Sequence, residues 1–491
     1  MTQESHDTPS LGQAVGRGLT WSLGGQIVMR LLSFGTGVVM ARLLVPDDFG
    51  AFAVALLAVN VLSAVNELGT IPAVVRWKGD PEEALPTGMT LACAGSVAMY
   101  LLVWFGAPAF SSSFSNPEAI AVLRVFALTI LLDGLNAMPQ ALLYRSFRQA
   151  EFAFAELAGT VGYAVVGIVM AWAGFGALSM AWGRVAGAVI TAGLFYAIIR
   201  FRPRFGFDRR IARELLVFGM PLGISHLVWE GVMNIDYYVV GAVLGTTTLG
   251  FYLLAFNLSS WPVSTISYAV QKVSFAAFSR IVDDKERLPE SFGRSMGVAL
   301  TVTLPCMAVL IVLAPEIIRF LYGEQWLPAA TAARLLLLLG GVRVLMDLVF
   351  DLVAADGRSQ RTLALRALWL VALIPALYAG ARLDGLRGVG TAHVIVALAV
   401  VLPLLLRTLR GSGVAASVLA SQAVRPALAT GAMVAAMLLV LPFISGDLLT
   451  LVAVGAVGGA AYAAAILPAN PLIRWTIRQI LPNRTTAGST A

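Results

Sequence analysis

With 58% hydrophobic and only 12% charged residues along 491 positions, and a mean hydropathy of +0.83, the chain is too apolar for a soluble domain, where about a quarter of residues are charged. A net charge of +7 would suit nucleic acid, but the basic residues sit between apolar stretches, where they set membrane orientation instead. Cys93 and Cys306 fall in separate apolar runs, which excludes a disulfide framework and a cysteine metal site.

A membrane helix needs roughly 20 mainly apolar residues. Breaks at charged or Gly/Pro clusters give about fourteen spans, near 18–40, 49–71, 87–107, 119–141, 154–173, 176–199, 215–243, 249–270, 293–314, 331–353, 363–381, 388–407, 425–443 and 448–467. The fold class expected is an all-α polytopic membrane protein. No cleavage signal follows the polar opening residues, so the first span is expected to stay.

In chain order, the first span carries Ser22, Gln26, Arg30, Ser33 and Gly37 on one polar stripe, and the second carries Asn60, Ser63, Glu67 and Thr70. Charges inside a membrane helix cost about 2.5 to 3.5 kcal/mol on insertion scales and normally face protein or water. Arg30 offers a planar donor array suited to phosphate; an Arg30 to Glu67 ion pair is the structural alternative. Asp133, Asn136 and Gln140 share a face of the fourth span. Arg184 in the sixth is a candidate cavity cation.

The seventh span places His226, Glu230 and Asn234 at i,i+4 steps, with Asp236 on another face. A carboxylate in a low-dielectric cavity can exchange a proton or bind sodium, which makes Asp236 and Glu230 the ion-coupling candidates. The alternatives are a hydrogen bond from Asp236 to a neighbouring helix and a packed His226. In the tenth span Arg343, Asp347 and Asp351 follow i,i+4 spacing, so Arg343 is either a substrate contact or a local partner of Asp347. Arg334 is a further candidate cation, and His393 is expected to pack.

Even-numbered connections carry the basic residues: Arg76 and Lys78; Arg145 and Arg148; Arg200, Arg202, Arg204, Arg209, Arg210 and Arg213; Arg280, Lys285 and Arg287; Arg358 and Arg361; Arg407 and Arg410. The positive-inside rule then puts both termini and all even connections in the cytoplasm. The GxxxG pairs Gly183/Gly187, Gly241/Gly245 and Gly455/Gly459 are candidate helix contacts. Gly293-Arg-Ser295-Met-Gly297 matches G-x-S-x-G, but a nucleophile elbow needs a strand-to-helix turn, and this serine opens a membrane helix. Walker A, HExxH and CxxC patterns are absent, against an ATPase or a zinc enzyme.

The connector Arg42-Leu-Leu-Val-Pro-Asp-Asp-Phe-Gly50 returns in degenerate form as Ala242-Val-Leu-Gly-Thr-Thr-Thr-Leu-Gly250, and Val39/Val239, Leu44/Leu244 and Ala55/Ala255 keep the same register. An offset of six spans preserves orientation, as expected of halves duplicated about an axis along the membrane normal. The expected organisation is a six-helix lobe over 1–207, a second over 208–410, and two added helices with a cytoplasmic tail over 411–491.

Ala41-Arg-Leu-Leu-Val-Pro-Asp-Asp-Phe-Gly50, followed by Glu67-Leu-Gly-Thr-Ile-Pro-Ala-Val-Val-Arg76, resembles the bacterial polysaccharide exporters (Wzx-like flippases) of the MOP (multidrug/oligosaccharidyl-lipid/polysaccharide) superfamily. Asn234-Ile-Asp236, Leu249-Gly-Phe-Tyr252, Tyr322-Gly-Glu-Gln-Trp326 and Ala355-Asp-Gly-Arg358 look like later landmarks of that family, in order, over roughly residues 15 to 410. The resemblance implies two lobes alternately opening to either side of the bacterial inner membrane, and a substrate of oligosaccharide joined through pyrophosphate to a polyprenyl lipid. The substrate-binding candidates, Arg30, Gln26, Glu67, Arg184 and Arg343, come from the polar stripes and intramembrane charges and not from the family's motifs. Catalysis and a resident cofactor are not expected; coupling to H+ or Na+ is a reading of Asp236 and Glu230 alone, since the resemblance does not identify a coupling ion. Membrane lipids, a polysaccharide polymerase and export machinery are the expected partners. Two alternatives are a multidrug antiporter of the same superfamily, which an arginine-rich interior disfavours, and a membrane glycan polymerase or ligase, which would present a large outward loop.

Overall fold

The computed structural model describes residues 28–66, 69–281, 284, 287–355 and 359–467. Regular structure among them is helical throughout: α1 (28–43), α2 (Pro46–Asn66), α3 (Thr70–Val75), α4 (Pro81–Ser112), α5 (Glu118–Phe126), α6 (Leu128–Arg145), α7 (Gln149–Trp172), α8 (Ala177–Ile199), α9 (Arg209–Leu244), α10 (Thr246–Ile281), α11 (Arg287–Val312), α12 (Ala314–Leu321), α13 (Ala329–Leu338), α14 (Gly340–Ala355), α15 (Ser359–Val396), α16 (Leu402–Gly411), α17 (Ala416–Val440) and α18 (Asp447–Ile466). Short 3-10 turns and one π turn join some of them. Nine helical segments among the described residues are long and apolar enough to cross a membrane. The protein is a polytopic all-α membrane protein.

Several predicted spans are built differently from a plain helix. The fourth is two helices, α5 and α6, meeting at Ala127. The eleventh and twelfth are the arms of α15 and its continuation, reversed at Asp384 and at Gly385, whose φ of 55° suits glycine. The arms meet backbone to backbone: a Cβ on Gly380 would stand 2.3 Å from the carbonyl oxygen of Gly388. Residues eight apart in one straight helix would be about 12 Å apart.

The chain divides into two compact units, Met1–Leu253 and Leu254–Ala491. The expected lobe boundary at 207/208 does not coincide with this division, because α9 lies against α2, α3 and α4 and packs with the first unit.

In the first unit α7 and α8 form the most intimate pair. Gly183 faces Gly167 and Tyr163, and Gly187 faces the carbonyl of Gly159 at 2.6 Å from where its Cβ would be. This GxxxG pair is an interface because backbones approach closely only where side chains are missing. A second core joins α3, α4, α6 and α9 through Val74, Met89, Met138 and Leu215. Arg145 fastens its edge, donating through Nη1 to the carbonyls of Val74, Val75 and Trp77 at the end of α3, where helix carbonyls lack internal partners.

In the second unit α17 and α18 cover α11 and α12 through Val312, Leu313, Met433, Met437 and Val454. Tyr462 donates to the carbonyl of Thr301, and Arg319 pairs with Asp447 at 3.1 Å. Gly455 and Gly459 do not mark a contact: a Cβ on either meets nothing within 4 Å, and the neighbouring Gly458 packs on Met437 instead. The Gly293-x-Ser-x-Gly297 pattern lies on α11, its glycines making room for Val418 and Gln422 of α17. Helix packing accounts for that spacing.

Candidate functional site

The two copies of the repeated connector touch each other. A Cβ on Gly50 would stand 2.0 Å from the carbonyl oxygen of Thr246, and a Cβ on Gly250 would stand 2.0 Å from that of Pro46. Position 46 corresponds to 246 and 50 to 250, so the contact is reciprocal, as a local two-fold axis requires. Thr247 donates to Asp47, its equivalent in the first copy. Asn116 donates to Thr246 Oγ1 and accepts from the first amides of α5. Asp48 accepts from the amides of Val45 and of Ala177, the first residue of α8. Each residue of Pro-Asp-Asp-Phe-Gly thus has local work: proline starts α2, the aspartates tie it to α10 and α8, buried Phe49 packs, and glycine admits the opposite connector. The closing residue of the second hairpin is Gly245, with φ of 86° and no neighbour to its Cβ. It serves the turn, and Gly241 alone of that GxxxG pair packs, against Phe114 and Leu249.

Below the connectors, the polar stripes of α2 and α9 meet. Asn60 Nδ2 donates to Asn234 Oδ1 at 3.3 Å, and Asn234 Nδ2 donates to the main-chain oxygen of Glu230 at 2.8 Å and to its carboxylate at 2.9 Å. His226 Nε2 lies 3.9 Å from the other carboxylate oxygen. The i,i+4 spacing on α9 makes the column; the Asn60 amide joins it to α2. Asn234 is buried, while the Glu230 side chain keeps 21% of its surface and His226 46%. The column therefore runs from a buried amide at Asn234 to an exposed imidazole at His226, with the Glu230 carboxylate held between them.

Asp236 belongs elsewhere. It is 2% exposed and accepts from the hydroxyl of Tyr252 at 2.7 Å and from the amide of Tyr237. The Tyr237 and Tyr252 rings meet edge to face. Asp236 thus ties α9 to the first turns of α10, beside the paired connectors rather than in the Glu230 column.

Of the other candidates, Gln26 and Glu67 lie outside the described residues. Arg30 stands half-buried on α1. Arg184 is exposed on α8, its guanidinium 4.7 Å from the centre of the Tyr163 ring, and no acceptor faces it among the described residues. In the second unit Arg343 donates to Ser260 Oγ at 3.3 Å and stands over Phe256, and its charge also acts on Asp347 one turn along α14. Arg334 closes the end of α11 through the carbonyls of Ile311 and Val312 and is a helix cap. The Asn60 to Asn234 bridge was not read from the sequence; both residues stood on recognised polar stripes, but the pairing of those stripes did not.

A family model described as polysaccharide biosynthesis protein matches residues 39–331, more than half of the chain. The chain belongs to this family. Among its relatives, the succinoglycan biosynthesis transport protein ExoT of Rhizobium meliloti is 28% identical over 68% of each chain. The lipopolysaccharide biosynthesis protein WzxC of Escherichia coli is 22% identical over 79% of each, and the teichuronic acid biosynthesis protein TuaB of Bacillus subtilis is 25% identical over 60% of this chain and 62% of its own. The fold is shared with a lipid II flippase, MurJ, in an inward closed conformation, with a TM-score of 0.79, 16% identity and coverage of 94% of this chain and all of that one. It is shared also with an inward-facing multidrug resistance MATE transporter of the MOP superfamily, with a TM-score of 0.63, 19% identity and coverage of 80% and 95%.

Proposed function

We propose that this chain is a flippase that moves polyprenyl-pyrophosphate-linked oligosaccharide units across the bacterial inner membrane by alternating access, for surface polysaccharide export. The observation that carries the reading is membership of the polysaccharide biosynthesis protein family, in a chain whose relatives include a succinoglycan transport protein and whose fold is that of a lipid II flippase. It is a transporter and not an enzyme.

Fourteen crossings with both termini cytoplasmic follow from the charge alternation. Arg30, Gln26, Glu67, Arg184 and Arg343 are the proposed substrate contacts. Support comes from Arg184, whose guanidinium rests on a tyrosine ring and keeps its N–H donors for a ligand. An arginine in a membrane helix with no acceptor among the described residues is expected to face water or an anion, because lipid would make it too costly. Glu230, held by Asn234, is the proposed site at which H+ or Na+ couples to transport, with Asp236 as the second carboxylate of the same helix. A polymerase that consumes the flipped unit is the proposed downstream partner.

The test is depletion of the protein in its host, with lipid-linked oligosaccharide expected to accumulate on the inner leaflet. In vesicles, Arg30→Ala is expected to keep membrane abundance and abolish translocation. Normal transport by the variant removes Arg30 from the site, and new glycosidic bonds formed by purified protein would replace the flippase reading with a polymerase.

A further inference from the structure

The connection between α8 and α9 is short and basic. It spans residues 200 to 208 between two segments apolar enough to cross a membrane, Ala177–Ile199 and Arg209–Gly231, so it lies at the membrane surface. It is hydrogen-bonded to α4. Gly206 donates to and accepts from Thr90 Oγ1, the amide of Asp208 donates to Thr87 Oγ1, and Phe201 packs on the core beneath. Asp208 is spent on capping α9.

Phe205 and Phe207 are 63% and 66% exposed. Arg200, Arg202, Arg204, Arg209, Arg210 and Arg213 surround them, all exposed. Arg204 and Arg210 have a distant carboxylate each, Glu82 and Glu214 at 4.0 Å. Arg200, Arg202, Arg209 and Arg213 make no ion pair among the described residues.

We infer that this arginine and phenylalanine segment is a docking surface for the anionic headgroups of membrane phospholipids. The chemistry matches on both counts. Aromatic side chains at the end of a membrane helix sit at headgroup depth, and a cluster of guanidiniums without protein carboxylates draws anionic lipid to it. The segment is too short and too firmly tied to Thr87 and Thr90 to leave the surface for a soluble partner. The inference rests on α8 and α9 being membrane spans and is independent of what the protein transports. Its consequence is a fixed depth for the α8–α9 junction in the bilayer.

The test uses the purified full-length protein in mixed micelles of phosphatidylglycerol and phosphatidylcholine in equal amounts, re-purified, with bound lipid quantified by mass spectrometry. Wild type is expected to retain phosphatidylglycerol preferentially, and the preference to fall as salt is raised. The variant with Arg200→Gln, Arg202→Gln, Arg209→Gln and Arg213→Gln is expected to lose about tenfold of that preference. Phe205→Ser with Phe207→Ser is expected to weaken retention at unchanged charge. The control, Arg407→Gln with Arg410→Gln on another basic connection, is expected to match wild type; all variants are compared at equal thermal stability. Undiminished retention in the four-arginine variant overturns the proposal. So does release of the lipid by inorganic pyrophosphate at concentrations that do not disturb the control, since that assigns the patch to a diphosphate.

Discussion

Substituting Gly50 by alanine tests the paired connectors with the least chemistry. The new methyl group would stand 2.0 Å from the carbonyl oxygen of Thr246 and 2.6 Å from its carbon. Ordinary van der Waals contact begins at 3.4 Å, so the two hairpins must part by about 1.4 Å or the methyl must strain the backbone. Overpacking of this sort typically costs about 1 to 3 kcal/mol, which is about a fivefold to 150-fold change in the population of the closed contact. The Thr247 to Asp47 bond provides the readout. In a background with Cys93 and Cys306 replaced by alanine, Asp47→Cys and Thr247→Cys are joined with a short thiol crosslinker in native membranes. Wild-type Gly50 is expected to give fast, high-yield crosslinking, and Gly50→Ala to slow it by about tenfold with the protein still present at normal abundance. Gly35→Ala serves as control, since a Cβ there meets nothing within 4 Å. Equal crosslinking rates in the Gly50→Ala and Gly35→Ala backgrounds would refute the reasoning, because the contact would then not constrain the connectors.

Tyr252→Phe leaves the buried Asp236 carboxylate without its 2.7 Å donor and is expected to cost about 1.5 to 3 kcal/mol, seen as a lower unfolding temperature in detergent; an unchanged midpoint would show that the bond is not a structural tie. Asp236→Asn is expected to abolish the dependence of flux on an imposed H+ or Na+ gradient if Asp236 takes part in coupling, and a preserved dependence leaves Glu230 as the sole candidate on α9. Glu230→Gln keeps the amide-compatible shape of the column while removing its charge, so substrate binding is expected to persist as gradient-driven flux is lost; accelerated or unaffected flux would exclude the column from coupling. Gly187→Ala places a methyl 2.6 Å from the Gly159 carbonyl and is expected to destabilise the α7–α8 pair by about 1 to 3 kcal/mol, whereas Gly459→Ala, which meets open space, is expected to leave the unfolding midpoint where it was.

Much of the architecture is written locally and was legible for that reason. Apolar length, basic connections and the repeat at Gly50 and Gly250 depend only on neighbours along the chain, and they suffice for a polytopic helical transporter with a duplicated hairpin. The resemblance carried by Ala41 to Gly50 pointed to the family that the match over residues 39–331 shows. Candidate residues on α9 were also visible, because i,i+4 spacing puts His226, Glu230 and Asn234 in one column whatever surrounds the helix.

What spacing along one helix does not contain is the identity of the helix opposite. Tertiary packing set the α2 stripe against α9, through Asn60 and Asn234, and brought Arg343 to Ser260 of α10. Three GxxxG pairs looked alike in sequence, yet only Gly183/Gly187 faces another backbone, because a missing Cβ matters only where a neighbour arrives. The same holds for the feature most visible in the chain. Its sequence alone established that the connector occurs twice; only the fold brought the copies into contact, since a two-fold relation between segments 200 residues apart is a property of space and not of order along the chain.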